Sequence, residues 1–320
     1  MELNTVHHVD FINNRLPDKC ANLIIADPPY FRVKGDFDFI WDSFEDYLKD
    51  VEKWAIECKR ILADNGTLFW WGDAKKIAYS QIIIDKHFNL INNLTWNKGS
   101  FMGLEESKGL RSFAPCTERV LMYEQGGQKT GGEIVFEQFL KPQNPFSKYL
   151  KIEFKNAKVT KKEIAKLFPS KTGGLTGCVS NWLNGDNLIT EEQYLKIREH
   201  LNNKYLLKSY EELREEYEEL RRPFNNRFNL QEVLNFSNEA QKTSVKYNHN
   251  TVKPEKLTRA LILTCSRKND LVVVPFAGSG TECAMSVKEK RHFVGFEIED
   301  KYVTMANKRV KKILKEPTLF

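Results

Sequence analysis

The sequence of 320 residues predicts an α/β fold: a mostly parallel, twisted sheet with helices on both faces, interrupted by a mainly helical module. Three observations predict it. Apolar runs alternate with helical patterns from the first residue to about Tyr123 and again from Pro254 to Glu297. Two of the runs, Leu23–Ala26 and Leu271–Val274, end in Asp27-Pro28-Pro29-Tyr30 and in Pro275-Phe276-Ala277-Gly278-Ser279-Gly280-Thr281. These segments put polar or backbone groups at the carboxyl ends of strands, where open α/β sheets bind ligands. Between the two halves the alternation stops.

The elements follow in order. Leu23–Ala26 reads as a buried strand. Glu45–Leu62 is an amphipathic helix, with Tyr47, Leu48, Val51, Trp54, Ala55, Ile61 and Leu62 on its apolar stripe. Gly66 ends it, and Thr67–Trp71 is the next strand. A helix is expected over Ala74–Lys86, then strands near Leu90–Trp96 and Arg119–Tyr123. The pairs Gly126-Gly127 and Gly131-Gly132 mark an exit from this domain. The pattern resumes with helix Pro254–Ser266, strand Leu271–Val274, helix Thr281–Lys290 and strand His292–Glu297. The expected organisation is a first catalytic part at 1–125, a separate module at 126–247, and a second catalytic part at 248–320.

The central module carries its own signals. Thr160-x-x-Glu163 and Thr190-x-x-Gln193 each fit a capping box that opens a helix. Leu175–Leu183 is a further helix candidate with Ser180 and Asn181 near its end. Three short helices with a lysine-rich first face resemble a helix-turn-helix reader of DNA; the bland alternative is a small bundle that spaces the domain. Nine lysines against two acids lie between Lys141 and Lys171, a local excess of seven that exceeds the whole-chain excess of six. Such a block tracks phosphates, or simply forms a solvated surface. Lys158, Lys161, Lys162, Lys171, Ser180 and Asn181 are the DNA-contact candidates. Lys208–Arg222 reads as an acidic packing helix, stopped by Pro223.

Composition narrows the class. Apolar content of 41% and charged content of 29% suit a cytoplasmic globular protein. No apolar stretch reaches membrane-spanning length. The six cysteines lack a CxxC pair, so neither a disulfide frame nor a metal site is expected.

The motifs point to methyl transfer onto an exocyclic amine of a base. Such an amine is a poor nucleophile because its lone pair is delocalised into the ring. Acceptors for both of its protons favour a geometry that frees the pair: the Asp27 carboxylate is one, and the Pro28 carbonyl, aimed by its ring, is another. Tyr30 offers a face on which a flipped base stacks. Each motif alone has a plain reading, since Asp-Pro-Pro makes a good turn and Gly-x-Gly is common. Their placement after apolar strands adds weight, as does Glu297, an acid 17 residues after Gly280 and suited to ribose hydroxyls.

With these residues in place, the chain resembles the beta group of amino-methylating DNA methyltransferases, which use S-adenosylmethionine. In that group the catalytic motif comes first, a target-recognition domain follows and the cofactor loop comes last. Leu16-Pro17-Asp18, Asn65-Gly66-Thr67-Leu68, Trp96-Asn97-Lys98, Glu118-Arg119-Val120-Leu121 and His249-Asn250-Thr251-Val252-Lys253-Pro254 are similar to its landmarks. The resemblance implies a Rossmann-like catalytic sheet, with Asp27, Pro28, Pro29 and Tyr30 as the catalytic pocket. It assigns cofactor binding to Asp10, Asp27, Thr251, Lys253, Pro275, Phe276, Ala277, Gly278, Ser279, Gly280, Thr281 and Glu297. Double-stranded DNA is the implied substrate, and a second copy of the chain and a cognate restriction endonuclease are implied partners. One position departs: the family places an aspartate before Pro-Phe to help bind the cationic end of the cofactor, and this chain has Val274. Adenine N6 is the leading target. Cytosine N4 is the nearest alternative, a catalytically silent DNA-binding regulator the non-enzymatic one, and structured RNA a weaker substrate class.

Overall fold

A computed structural model of the chain describes residues 1–33, 38–99, 109, 111–126, 143–170, 173–237 and 252–315. It divides into two compact units, one made of residues 1–131 and 223–320 and the other of residues 132–222.

The larger unit is built on an eight-stranded sheet among the described residues, in the order β1-β8-β7-β2-β3-β5-β4-β6. The strands are β1 (Thr5–His8), β2 (Ala21–Ala26), β3 (Leu62–Asp73), β4 (Phe88–Asn97), β5 (Thr117–Gln125), β6 (Val233–Asn235), β7 (Leu271–Val274) and β8 (His292–Glu297). All neighbours are parallel except β3 with β5 and β5 with β4. Among the described residues its helices are α1 (Phe44–Ile61) and α2 (Ile77–Ile84), then, after the five described in the smaller unit, α8 (Glu255–Cys265), α9 (Thr281–Lys288) and α10 (Asp300–Lys315).

Alternation along the strands sends successive side chains into two cores. Leu23, Ile25, Phe69, Trp71, Val272 and Val274 join residues of α8, α9 and α10 in one cluster. Ile24, Ala26, Leu68, Trp70 and Val273 join residues of α1 and α2 in the other. Helices therefore cover both faces, as the sequence predicts. Local chemistry fixes where the helices begin. The Ser43 hydroxyl accepts the Asp46 N–H at the start of α1, whose first turn carries Glu45 and Asp46 and whose last carries Lys59 and Arg60.

Strands β2 and β7 lie side by side, with Leu23 opposite Val272 and Ile24 opposite Val273. From β2 the chain passes through α1 to β3 on one side. From β7 it passes through α9 to β8 on the other. The order reverses between these two strands, which opens a crevice at their carboxyl ends.

The smaller unit is helical: α3 (Pro145–Asn156), α4 (Lys161–Ala165), α5 (Cys178–Asn184), α6 (Glu191–His200) and α7 (Tyr210–Leu220). Both expected capping boxes form, at Thr160 and Thr190, and a third forms at Ser209. Phe146, Leu150, Ile164, Trp182, Tyr194 and Ile197 lie at the centre of its core.

Several sequence boundaries move. Gly66, expected to end the first helix, lies inside β3, because α1 stops at Ile61 and the strand starts at Leu62 and not at Thr67. The helix expected over Ala74–Lys86 is the shorter Ile77–Ile84. The helix expected over Leu175–Leu183 begins at Cys178, because Leu175 pairs with Pro169 to close a small loop that Ser170 and Gly174 hold together. The return to the sheet unit comes at Pro223 and not at 248, since β6 adds to β4 through Thr95, Trp96 and Asn97. Edge strands as short as β6 carry little signal of their own.

Candidate active site

The chain leaves β2 at Asp27 and β7 at Pro275, so two motifs almost 250 residues apart meet at neighbouring strand ends. Tyr30 folds back on its own turn and donates its hydroxyl to Asp27 Oδ1 at 2.8 Å. The turn is pinned from outside by Asp38, whose Oδ1 accepts the Tyr30 N–H at 2.6 Å. Pro28 is buried and Pro29 half-buried.

Lys253 completes this corner. Its Nζ donates to Asp27 Oδ2 at 2.6 Å, lies 3.4 Å from Glu118 Oε2, and sits 4.8 Å from the Trp71 ring centroid and 5.6 Å from that of Tyr30. Lys98 holds the other oxygen of Glu118 at 3.1 Å. Burial pushes the Asp27 carboxyl above its usual range, against the pull of the Lys253 ammonium. Burial also opposes the Glu118 charge, but Lys253 and Lys98 outweigh it and keep that carboxyl below its usual range. For Lys253 burial disfavours the cation, and Asp27 and Glu118 more than restore it. The Tyr30 hydroxyl is pushed well up by burial and then by the Asp27 charge, so it stays a donor.

The glycine loop forms the second wall. Gly280 has φ +72°, and a Cβ there would come 2.6 Å from Ala306 Cβ, so α10 packs where no other residue allows it. Gly278 donates its N–H to Glu297 Oε2 at 2.9 Å, while Glu297 Oε1 accepts the N–H groups of Ile298 and Glu299. Glu297 thus stands at the end of β8, fixed in orientation and with acceptor capacity left on Oε2. Ala277 and Ser279 are buried, and the half-buried Phe276 ring packs edge-on against Trp54 at 4.9 Å. Thr281 is fully buried and its hydroxyl accepts from Arg309 at 2.9 Å, which anchors the loop. Val274 is 1% exposed in an apolar cluster, where a carboxylate would need its own partner.

The remaining sequence candidates fall as follows. Asp10 is exposed beyond β1, next to the strand that ends in Glu297, and its Oδ1 accepts the Ile12 N–H of a short 3-10 turn. Thr251 and Lys171 lie outside the described residues. Lys158, Lys161 and Lys162 are exposed on the helical unit, while Ser180 and Asn181 are half-buried in α5. The structure also brings in groups that motif reading leaves out of the site: Glu118, Lys98, Trp71 and Glu282. Lys98 and Glu118 fall in the landmarks Trp96-Asn97-Lys98 and Glu118-Arg119-Val120-Leu121, and Glu282 follows the glycine loop directly; these placements were the available signals. Among the described residues, no group of three or more histidines, cysteines, aspartates or glutamates is arranged to hold a metal, and no helix is long and apolar enough to cross a membrane.

A family model described as DNA methylase matches residues 21–308. The type II methyltransferase M.HinfI of Haemophilus influenzae is 26% identical over 333 residues, which span 98% of this chain and 70% of that protein. The DNA adenine methyltransferase YhdJ of Escherichia coli K12 is 24% identical over 316 residues, 97% of this chain and 83% of its own. Two solved structures share the fold. The complex of M1.HpyAVI with S-adenosylmethionine has a TM-score of 0.52 at 17% identity, covering 96% of this chain and 98% of that one. TTHA0409 of Thermus thermophilus, complexed with S-adenosyl-L-methionine, has a TM-score of 0.52 at 15% identity, covering 98% and 96%.

Proposed function

The chain belongs to the N6/N4 DNA methylase family, and from that premise we propose that it methylates the N6 amine of an adenine flipped out of duplex DNA, with S-adenosylmethionine as the donor. The observation that carries this reading is the Asp27–Tyr30–Lys253 corner beside the glycine loop.

The residues present suit such a donor. Glu297 offers an acceptor at a strand end for ribose hydroxyls, the loop from Gly278 to Gly280 brings backbone close, and the crevice carries an excess of carboxylate over ammonium groups. The donor supplies an electrophilic methyl group on a positively charged sulfur. The chain supplies position and field. Asp27 accepts from the amine with the lone pairs that Tyr30 and Lys253 leave free, and the buried pair keeps that carboxylate in one orientation. Tyr30, pinned through its hydroxyl, presents its ring to a flipped base. As the N–CH3 bond forms, the amine nitrogen becomes acidic and gives up its proton without needing a strong base.

Lys158, Lys161 and Lys162 on the helical unit are suited to phosphate contacts, and Ser180 and Asn181 to reading base edges from α5. The preference for adenine rests on the Asp at the head of the motif and on the adenine activity for which YhdJ, a relative at 24% identity, is named. Cytosine N4 would use the same acceptors. Nucleoside mass spectrometry of unmethylated duplex DNA, incubated with protein and S-adenosylmethionine, tests the reading. N6-methyladenine that disappears in Asp27→Ala is the expected result. N4-methylcytosine would overturn the base, and no methylated base would overturn the activity.

A further inference from the structure

Glu282 is the second residue of α9, directly after the glycine loop, and is 6% exposed. Its Oε1 is fully buried with no hydrogen-bond partner among the described residues. A backbone N–H donates to the carboxylate, but a buried carboxylate oxygen left without a donor is costly and calls for an explanation. The charged groups that face it are Asp27 from the end of β2, Lys253 before α8 and Arg309 from α10; the Cys283 thiol adjoins it on its own helix. Arg309 is already committed to Glu255 at 2.7 Å.

The charges around the crevice do not balance. Asp27 has the Lys253 ammonium at 2.6 Å, and Glu118 has that of Lys98 at 3.1 Å. Glu282 is a third carboxylate against two ammonium groups, which leaves the cluster one positive charge short. S-adenosylmethionine carries one net positive charge, because its amino and carboxylate groups cancel and the sulfonium remains. The demethylated thioether product carries none.

We propose that Glu282 senses the charge of the bound cofactor, holding a proton in the free protein and releasing it when the sulfonium fills the crevice. The inference rests on the S-adenosylmethionine reading above. Burial, reinforced by Asp27, lifts this carboxyl to about 7, against Lys253 and Arg309, so the exchange falls within the working range of pH. In the reaction the S–CH3 bond breaks as the N–CH3 bond forms. The positive charge lost from sulfur reappears as the proton that leaves the amine nitrogen, and the product state again leaves the cluster short by one. Glu282 then takes up a proton, so its ionisation follows the methyl group.

Calorimetric titration of the full chain with S-adenosylmethionine and with S-adenosylhomocysteine, at pH 7 in two buffers of different ionisation enthalpy, tests this. The expected result is release of roughly half a proton with S-adenosylmethionine and none with the thioether, since a group at its own midpoint is half protonated. Glu282→Gln removes the release, and it flattens a wild-type affinity that otherwise rises with pH between 6 and 8. Binding without proton release, or equal release with both ligands, would overturn the proposal. Failure of both ligands to bind at any pH would instead sink the cofactor reading, and this inference with it. The comparison of two ligands on the wild-type protein does not depend on the variant folding.

Discussion

At the scale of single residues, Lys253 decides how the crevice is charged. It is 5% exposed and faces two carboxylates, so replacing it leaves both without that cation. Lys253→Met is expected to lower stability by about 3–5 kcal/mol, the range for breaking one side of a buried pair, read as a shift in the thermal midpoint. Asp27→Asn keeps the shape but removes the anion that accepts from the amine. It should cut the methylation rate by about 10²–10³-fold, the usual effect of deleting one preorganised polar group, while the thermal midpoint falls less than for Lys253→Met. Glu282 sets a pH dependence with a definite sign. Its folded value lies above its unfolded one, so its contribution to stability is complete below the unfolded value and is lost as pH rises through about 7. Melting curves of the free protein should therefore show a loss between pH 6 and 8 that Glu282→Gln flattens; a wild-type profile rising over that range would contradict it.

At the scale of elements, the loop before α9 depends on a backbone that ordinary residues avoid. Gly280→Ala meets both a positive φ and the Ala306 Cβ at 2.6 Å, and should cost about 1–3 kcal/mol and push α10 outward. A thermal midpoint within a degree of wild type would refute that packing. Much of this level was legible in the sequence. The strands ending in Ala26 and Val274 announced themselves as apolar runs followed by turn residues, and the caps at Thr160 and Thr190 lay three residues ahead of their capping-box partners Glu163 and Gln193. What escaped had little local signal. β1 and β6 are four and three residues long and owe their conformation to partners across the sheet, Thr5 opposite Val294 and Thr95 opposite Val233. Residues 300–315, which the alternating pattern does not require, form α10. In the site, Asp27, Tyr30 and Lys253 stood out because motifs framed them. Glu118 lay in a landmark, Glu118-Arg119-Val120-Leu121, that gave it no role, and Glu282 had no motif of its own; one acid in a strand or a helix has no assigned place in a site until its neighbours in space are known.

At the scale of the whole molecule, the chain comprises a sheet unit that holds the candidate site and a helical unit that holds most of the lysine-rich stretch 141–171. The helical unit has its own core and caps, so its surface tolerates substitution. Replacing Lys161 and Lys162 by glutamine should weaken duplex binding about equally for all sequences and reduce the slope of log K against log salt by roughly 2, one for each lysine removed from the phosphate track. An unchanged slope would place that track elsewhere. The pairing of β2 with β7 also has a cost in time. Leu23 leaves the ribosome roughly 250 residues before Val272, its partner across the sheet. At the ~5–20 residues per second of synthesis, the β7 side of a strand that is apolar except for Asn22 waits about 12–50 s for its neighbour. During that interval it is an open edge able to pair with another nascent chain. The same adjacency that assembles the crevice thus makes slow or interrupted translation an interval of exposure to aggregation.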